Sequence, residues 1–348
     1  MTPADCLDFT SNDYLGLARA GVSRETWDRL TGIPSGSGAS RLIHGTHPHH
    51  LALEHALASW LGTESTLLFS SGYAANVGVL SSLPQDGDLI VSDALNHASI
   101  IDGCRLSRAR TVVVPHLDLD ALARALAQPA RRRWLVTESY FSMDGDTPDL
   151  EAIAALARAH DASLIVDEAH ALGVFGPHGA GLCAQAAVRP DVLIGTLGKA
   201  FGLHGAFVAG SATLRTYLWN RARSFVYSTA PLPLLAALAT THLALVRDAA
   251  PQRLQLAEAS ARLRKELRDA ALSVPTASHG PILPLLLGDN RRTLAAAADL
   301  AALGLRVQPI RPPTVPAGTA RLRITLSATH TPGDLHRLTT ALLRTCAR

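Results

Sequence analysis

The residues best equipped for chemistry stand just after short apolar runs. Val192 to Gly195 reads as a buried strand, and the Gly-rich stretch Thr196-Leu-Gly-Lys199-Ala-Phe-Gly follows at once. The chain has only two lysines, Lys199 and Lys265, against thirty arginines. An amine can lose its proton and attack a carbonyl, whereas a guanidinium does not. Lys265 lies in Arg262-Leu-Arg-Lys-Glu-Leu-Arg268, a charged helix face on which a snorkelling side chain is the simple reading. Lys199, at a strand end among small residues, points instead to Schiff-base chemistry, with pyridoxal phosphate (PLP) as the leading cofactor. Leu164–Val166 ends in Asp167-Glu168-Ala-His170. A carboxylate closing a buried strand is costly without a cationic partner. A protonated pyridine nitrogen supplies one, and the aspartate keeps that ring an electron sink.

Three further turns follow apolar runs. Ser70-Ser-Gly72-Tyr73-Ala-Ala-Asn76 opens a helix whose first N–H groups could hold a phosphate, although a plain serine cap explains it as well. His97, in Asp93-Ala-Leu-Asn-His97-Ala-Ser99, is either a cap or an imidazole stacked on a flat ring. Glu138-Ser-Tyr-Phe-Ser142-Met-Asp-Gly-Asp146 is a loop with a hydroxyl and several carboxylates. Two other stretches are set aside. Gly36-Ser-Gly38-Ala-Ser-Arg41 lacks a preceding strand and has Arg41 where a dinucleotide loop needs its third glycine. His44-Gly-Thr-His47-Pro-His49-His50 is broken by Pro48 and lacks zinc-motif spacing, so capping or solvated histidines are expected and no metal site.

Something must position these residues, and the patterning says what. Candidate strands are 66–69, 89–91, 111–114, 134–137, 164–166, 192–194 and 206–209, with helix-length segments such as 117–127 and 150–160 between them. Alternation of this kind predicts an α/β fold with a mainly parallel seven-stranded sheet, helices on both faces and ligands at the strand carboxyl ends. The second half predicts a smaller α+β domain: helices at 252–272, 291–303 and 332–347, and strands at 282–287, 305–310 and 320–326. Expected boundaries are an N-terminal segment 1–45 packing on the small domain, a large domain 46–248 and a small domain 249–348. Arg321-Leu-Arg323-Ile alternates along the last strand, with one arginine expected to face away from the other. One of them suits a bidentate grip on a carboxylate, and a surface ion pair is the plainer alternative.

Composition excludes several classes. Net charge is +3 and the longest basic block is Arg131-Arg132-Arg133, so nothing asks for nucleic acid. The apolar stretch 232–246 is too short and too interrupted to span a bilayer, and no secretory signal is visible. Four cysteines without a Cys-x-x-Cys pair favour reduced thiols and a cytoplasmic setting.

Taken in order, Ser11-Asn-Asp-Tyr-Leu-Gly-Leu, Ser71-Gly-Tyr-Ala-Ala-Asn, Asn96-His-Ala-Ser, Phe141-Ser-Met-Asp-Gly-Asp, Val166-Asp-Glu-Ala-His, Thr196-Leu-Gly-Lys-Ala-Phe-Gly and Arg321-Leu-Arg-Ile-Thr-Leu-Ser-Ala-Thr-His resemble the α-oxoamine synthases. These are PLP-dependent acyltransferases of fold type I, the aspartate-aminotransferase fold, and the likeness runs over nearly the whole chain. The resemblance implies that Lys199 binds PLP covalently and serves as acid and base. It implies that Asp167 pairs with the pyridine nitrogen, that His97 stacks on the ring, and that Ser142 and His170 contact the region of its ring oxygen. Thr196 would lie beside the phosphate, Gly72 and Tyr73 would offer backbone to it, and Thr229 would reach a phosphate across a homodimer interface. Asn12, Thr314 and Arg323 would face substrate, with Arg323 the natural carboxylate partner. Arg311-Pro-Pro-Thr-Val-Pro-Ala-Gly-Thr-Ala-Arg-Leu-Arg is most like the member that joins L-alanine to a pimeloyl thioester of CoA or a carrier protein. Members of the family usually have a few dozen residues before the strand equivalent to Leu7-Asp-Phe, including a basic residue associated with the acyl substrate. Here the sequence starts almost at that strand, which loosens the expectation of pimeloyl specificity. Rival expectations are another α-oxoamine synthase, such as glycine C-acetyltransferase, 5-aminolevulinate synthase or serine palmitoyltransferase, or an aminotransferase that releases no CoA.

Overall fold

The structure is a computed structural model that describes residues 6–346. In chain order its strands are β1 (Leu7–Asp8), β2 (Ser65–Phe69), β3 (Leu89–Asp93), β4 (Arg110–Val114), β5 (Arg133–Glu138), β6 (Ala162–Asp167), β7 (Val192–Thr196), β8 (Ala206–Gly210), β9 (Ile282–Gly288), β10 (Leu305–Arg306), β11 (Gln308–Ile310) and β12 (Ala320–Thr325). Two compact units result. The larger holds Leu17–Tyr140 and Pro148–Ala249, and the smaller holds 6–16, Phe141–Thr147 and 250–346. These limits differ from the expected boundaries in two places: 17–45 groups with the larger unit and 141–147 with the smaller. Close backbone approach explains both. A Cβ on Gly202 would meet the backbone nitrogen of Ala18 at 2.3 Å, and one on Gly145 the carbonyl oxygen of Ile282 at 2.3 Å. Both glycines have φ above +60°, where other residues are strained.

The larger unit is built on a seven-stranded sheet of order β2-β8-β7-β6-β5-β3-β4. Strands β3 to β7 are mutually parallel, and β8 runs antiparallel to both β7 and β2. Its strands are apolar on both faces. Leu67, Ile90, Val136, Ile165, Ile194 and Val208 form one cluster with Ala75, Val79, Ile100, Leu218 and Phe225 of the covering helices. The alternate residues Leu68, Leu89, Leu135, Leu164, Val166 and Phe207 are equally buried. Full burial of each such side chain contributes about 1.5–3 kcal/mol, so the sheet fixes its strand ends firmly. Helices Pro48–Leu61 and Leu150–Ala159 pack against β2 and β6.

The smaller unit pairs β1 with β10 in parallel and holds a three-stranded antiparallel sheet of order β11-β12-β9. Helices Ala250–Asp269, Asn290–Ala302 and Pro332–Cys346 complete it. The single strand expected over 305–310 is two strands in two sheets. The chain changes partner at the buried Val307, and Pro309, which has no N–H to give, sits on edge strand β11. The expectation that Arg321 and Arg323 face apart is also overturned. Residues two apart on a strand share a face, and both arginines reach the 141–147 loop: Arg321 Nη1 donates to the Met143 carbonyl at 3.2 Å and Arg323 Nε to the Ser142 carbonyl at 2.5 Å. Both are about 95% buried; Arg321 does make an ion pair, with Asp144 of the same loop, but it is largely buried and not a surface pair.

Candidate active site

Parallel strands leave their carboxyl ends on one edge of the sheet, and the chemical residues of the larger unit follow those ends. Asp167 closes β6, and its neighbour in register on β5 is Glu138. Asp167 is 6% exposed. One of its oxygens accepts from the Ala169 backbone N–H at 2.8 Å, and the other from Asn76 Nδ2 at 2.7 Å. Asn76 comes from the helix Gly72–Leu80, which starts just past β2. Ser71 caps that helix by accepting from the Ala74 N–H at 3.1 Å. A Cβ at Gly72 would meet nothing within 4 Å, so space lies open in front of the first turn. That is the geometry a phosphate needs at a helix N-terminus. Tyr73 turns its ring outward, half exposed, and donates from its hydroxyl to Asp102 at 2.6 Å.

His97 caps the helix Ala98–Leu106. Its Nδ1 accepts from the Ser99 N–H at 3.2 Å and meets Ser99 Oγ at 2.7 Å, while its own backbone N–H donates to Glu138 Oε1 at 2.6 Å. Thus Glu138, the partner of Asp167 in the sheet, also ties down His97. Burial, aided by the Asp167 charge, pushes the Glu138 carboxyl up to about 8 against the pull of Lys199. Desolvation lowers the His97 imidazole, Lys199 adds to that, and Asp167 opposes it. Asp167, Glu138, His97 and Lys199 therefore form one electrostatic group.

Lys199 rides on a tight loop after β7. Thr196 braces it, accepting from the Gly198 N–H at 3.1 Å and donating to the Gly205 carbonyl at 3.1 Å. The Lys199 carbonyl accepts from the Gly202 N–H at 2.8 Å. His170 is buried three residues past Asp167. Between them Glu168 is fully buried, accepts from the Leu182 and Cys183 N–H groups at 2.9 and 3.1 Å, and is pushed by burial up to about 7.

The larger unit therefore brings Lys199, Asp167 and His97 into one group and ties the helix of the Gly72–Tyr73 turn to it through Asn76, while Thr196 braces the Lys199 loop and His170 is buried in the same unit. Thr229 is exposed in the same unit, bridged through its backbone to Ser40. Asn12, Ser142, Thr314 and Arg323 belong to the smaller unit. There Arg323 donates to the Ser142 carbonyl, to Thr325 Oγ1 at 2.9 Å and to Asn12 Oδ1 at 3.0 Å, while Thr314 is exposed. The histidine run resolves as capping: His47 accepts from the His49 N–H, and His50 accepts from the His47 N–H at 3.1 Å. No metal-binding cluster occurs among the described residues. Asn76 and Ser99 received no role from sequence, although the spacing Gly72 to Asn76 is one helical turn from the proposed phosphate site. A cavity of about 1060 Å³ in the larger unit, lined by Leu61, Trp134, Ser163, Val192 and Gly210 among others, holds none of the candidate residues.

These residues suit PLP: a lysine on a tight loop at a strand end, a buried carboxylate held from behind by an amide, an imidazole coupled to it, and an open helix N-terminus. Residues 4–342 match the model of the aminotransferase class I and II family. The 8-amino-7-oxononanoate synthase of Acidithiobacillus ferrooxidans (strain ATCC 53993) is 47% identical over 97% of this chain and 87% of its own length. A serine palmitoyltransferase from S. paucimobilis, solved with bound PLP, superposes with a TM-score of 0.92 at 30% identity, covering 98% of this chain and 87% of that one. An 8-amino-7-oxononanoate synthase structure from Francisella tularensis gives 0.85 at 26% identity, covering 98% of both. The fold is that of a PLP-dependent enzyme of fold type I. The chain belongs to the aminotransferase class I and II family, and within it to the α-oxoamine synthases, a group of acyltransferases.

Proposed function

We propose that this enzyme condenses L-alanine with a pimeloyl thioester, releasing CO2 and the free thiol of CoA or a carrier protein and forming 8-amino-7-oxononanoate for biotin synthesis. The observation that carries this reading is the 47% identity to an 8-amino-7-oxononanoate synthase along 97% of the chain. PLP, when bound, accepts into its ring the electron pair left on the α-carbon of the amino acid.

The protein's own residues do the rest. Lys199 Nζ would hold the cofactor and would serve as the general base that removes the α-proton. The Asp167 carboxylate, fixed by Asn76 and Ala169, would pair with the pyridine nitrogen and keep it protonated. His97 would cover the ring face, and the Gly72–Tyr73 backbone with Thr196 would hold the phosphate. The α-carbon then attacks the thioester carbonyl and the thiolate leaves. Loss of CO2 from the resulting β-keto acid is followed by return of a proton to the same carbon, with Lys199 as donor. Arg323, Asn12 and Thr314 are assigned to the substrate by their match to the family, as are His170 and Ser142 to the ring oxygen. Thr229 is assigned to a homodimer partner.

The test is thiol release from pimeloyl-CoA with L-alanine present or omitted. Glycine with acetyl-CoA and L-serine with palmitoyl-CoA are the parallel arms. Release that depends on alanine and pimeloyl-CoA supports the reading. One observation favours a second reading, a sphingoid-forming enzyme: the TM-score to serine palmitoyltransferase, 0.92, exceeds the 0.85 to the Francisella tularensis synthase. Faster turnover in the serine arm would select it.

A further inference from the structure

Asn76 and Ser99 are each 1% exposed; Ser99 has no role in the machinery assigned above, and Asn76 has only that of fixing Asp167. Asn76 Nδ2 lies 2.7 Å from Asp167 Oδ2 and 3.0 Å from Ser99 Oγ, and Ser99 Oγ lies 2.7 Å from His97 Nδ1. The direction of each bond follows from what each atom can do. A backbone N–H only donates, so the Ser99 N–H at 3.2 Å makes His97 Nδ1 an acceptor. A ring nitrogen that accepts has no proton, and the neutral ring then keeps its hydrogen on Nε2. The Ser99 hydroxyl can therefore give its single hydrogen to Nδ1. Its oxygen is left to accept from Asn76, whose amide has one hydrogen for Ser99 and one for Asp167. Turning the amide over would set Asn76 Oδ1 and Asp167 Oδ2, two acceptors, 2.7 Å apart. The observed orientation instead leaves Asn76 Oδ1 buried without a hydrogen-bond partner. A buried amide that leaves its own acceptor unmatched is oriented by the two acceptors in front of it.

We propose that Asn76 and Ser99 are positioning residues that form a one-way hydrogen-bond chain, Asn76 to Ser99 to His97, which holds His97 as the neutral Nε2–H tautomer. The same Asn76 amide fixes Asp167. The consequence is an uncharged imidazole, with its hydrogen on the nitrogen away from the helix, beside the carboxylate that serves the cofactor ring. A second cation there would compete with the ring for Asp167. The lowered affinity of His97 for a second proton, caused first by desolvation and then by Lys199, agrees with this arrangement. The proposal rests on the PLP reading of the site and is independent of which acyl donor is used.

The test is 15N NMR of the PLP-loaded enzyme labelled at histidine, with His97 assigned through a His97→Asn variant. Wild type is expected to show an unprotonated Nδ1 and a protonated Nε2 at neutral pH. Ser99→Ala keeps the backbone N–H at Nδ1 and loses only the hydroxyl, so it should raise the share of the Nδ1–H tautomer without making it dominant, and lower kcat about tenfold with little change in KM, the scale of one lost hydrogen bond. Ser99→Thr, which keeps the hydroxyl, should restore both. An Nδ1–H signal in wild type would overturn the proposal, as would an unchanged tautomer ratio in Ser99→Ala. Should Ser99→Ala fail to fold, the wild-type and Ser99→Thr spectra still decide. Because the tautomer is read without any acyl donor, failure of the alanine–pimeloyl reading would leave this result standing.

Discussion

Lys199 illustrates how far a single residue can be read. In a chain that places arginine at nearly every cationic position, a lysine among glycines at a strand end is chemically conspicuous. Lys199→Ala should abolish the borohydride-fixable PLP adduct and lower turnover by at least about a thousandfold, as expected when a nucleophile and base are removed together; mass spectrometry of the reduced protein checks the first. Glu168 gives a pH prediction. Its carboxyl is held near 7 by burial, above its ordinary 4.5. The folded state thus keeps a proton that the unfolded chain has lost, so this stability is complete below about pH 4.5 and disappears as pH rises through about 7. Glu168→Gln should shrink the loss of stability between pH 5 and 8 by up to about 3 kcal/mol in urea melts. Glu138, raised to about 8 by burial and Asp167, acts in the same direction and leaves part of the slope in place. Sequence could reveal neither shift, because each depends on what packs around the carboxyl. Arg41 was likewise opaque. It stood out only as a misfit in a glycine pattern, yet it is 2% exposed and bonds Glu54 through both terminal nitrogens, at 2.9 and 3.2 Å. Because Arg215 still meets Glu54 Oε2 at 3.2 Å, Arg41→Ala should cost less than the ~3–5 kcal/mol of a buried charge left unpaired, measured by denaturant titration.

At the level of elements, the strands of the large sheet were legible because both their faces are buried, which writes them as unbroken apolar runs. The small unit was harder to read. Residues 305–310 look like one strand, and only the partner strands reveal that Leu305–Arg306 and Gln308–Ile310 lie in different sheets. The two arginines of β12 were misassigned although the two-residue period of a strand settles their common face. One close approach links element packing to the site. Helices Gly72–Leu80 and Ala98–Leu106, which start at the Gly72–Tyr73 turn and at His97, touch through Gly103. A Cβ there would stand 2.8 Å from Leu80 Cβ and 3.1 Å from the Asn76 carbonyl oxygen. Gly103→Ala should therefore spread the helices, cost about 1–3 kcal/mol, and weaken PLP binding, as titration of the apoenzyme followed by absorbance would show. Unchanged PLP affinity with lowered stability would separate the packing role from the site.

For the whole molecule, the match in sequence and fold fixes the family, and the family fixes the cofactor. What the order of residues conveyed was a set of strand ends, and the sheet turns that order into proximity: Asp167 beside Glu138, His97 tied to Glu138, and Asn76 behind Asp167. Hydrogen bonds between residues as far apart as Asn76 and Asp167 leave no local trace in sequence, which is why Asn76 and Ser99 were found only in three dimensions. The most direct measurement of the central claim uses L-alanine labelled in its carboxyl carbon, with pimeloyl-CoA and the PLP-loaded enzyme. Labelled CO2 and free CoA should appear one for one, and neither should form when either substrate is omitted. CoA release without labelled CO2, or labelled CO2 without CoA, would contradict decarboxylative condensation of these two substrates.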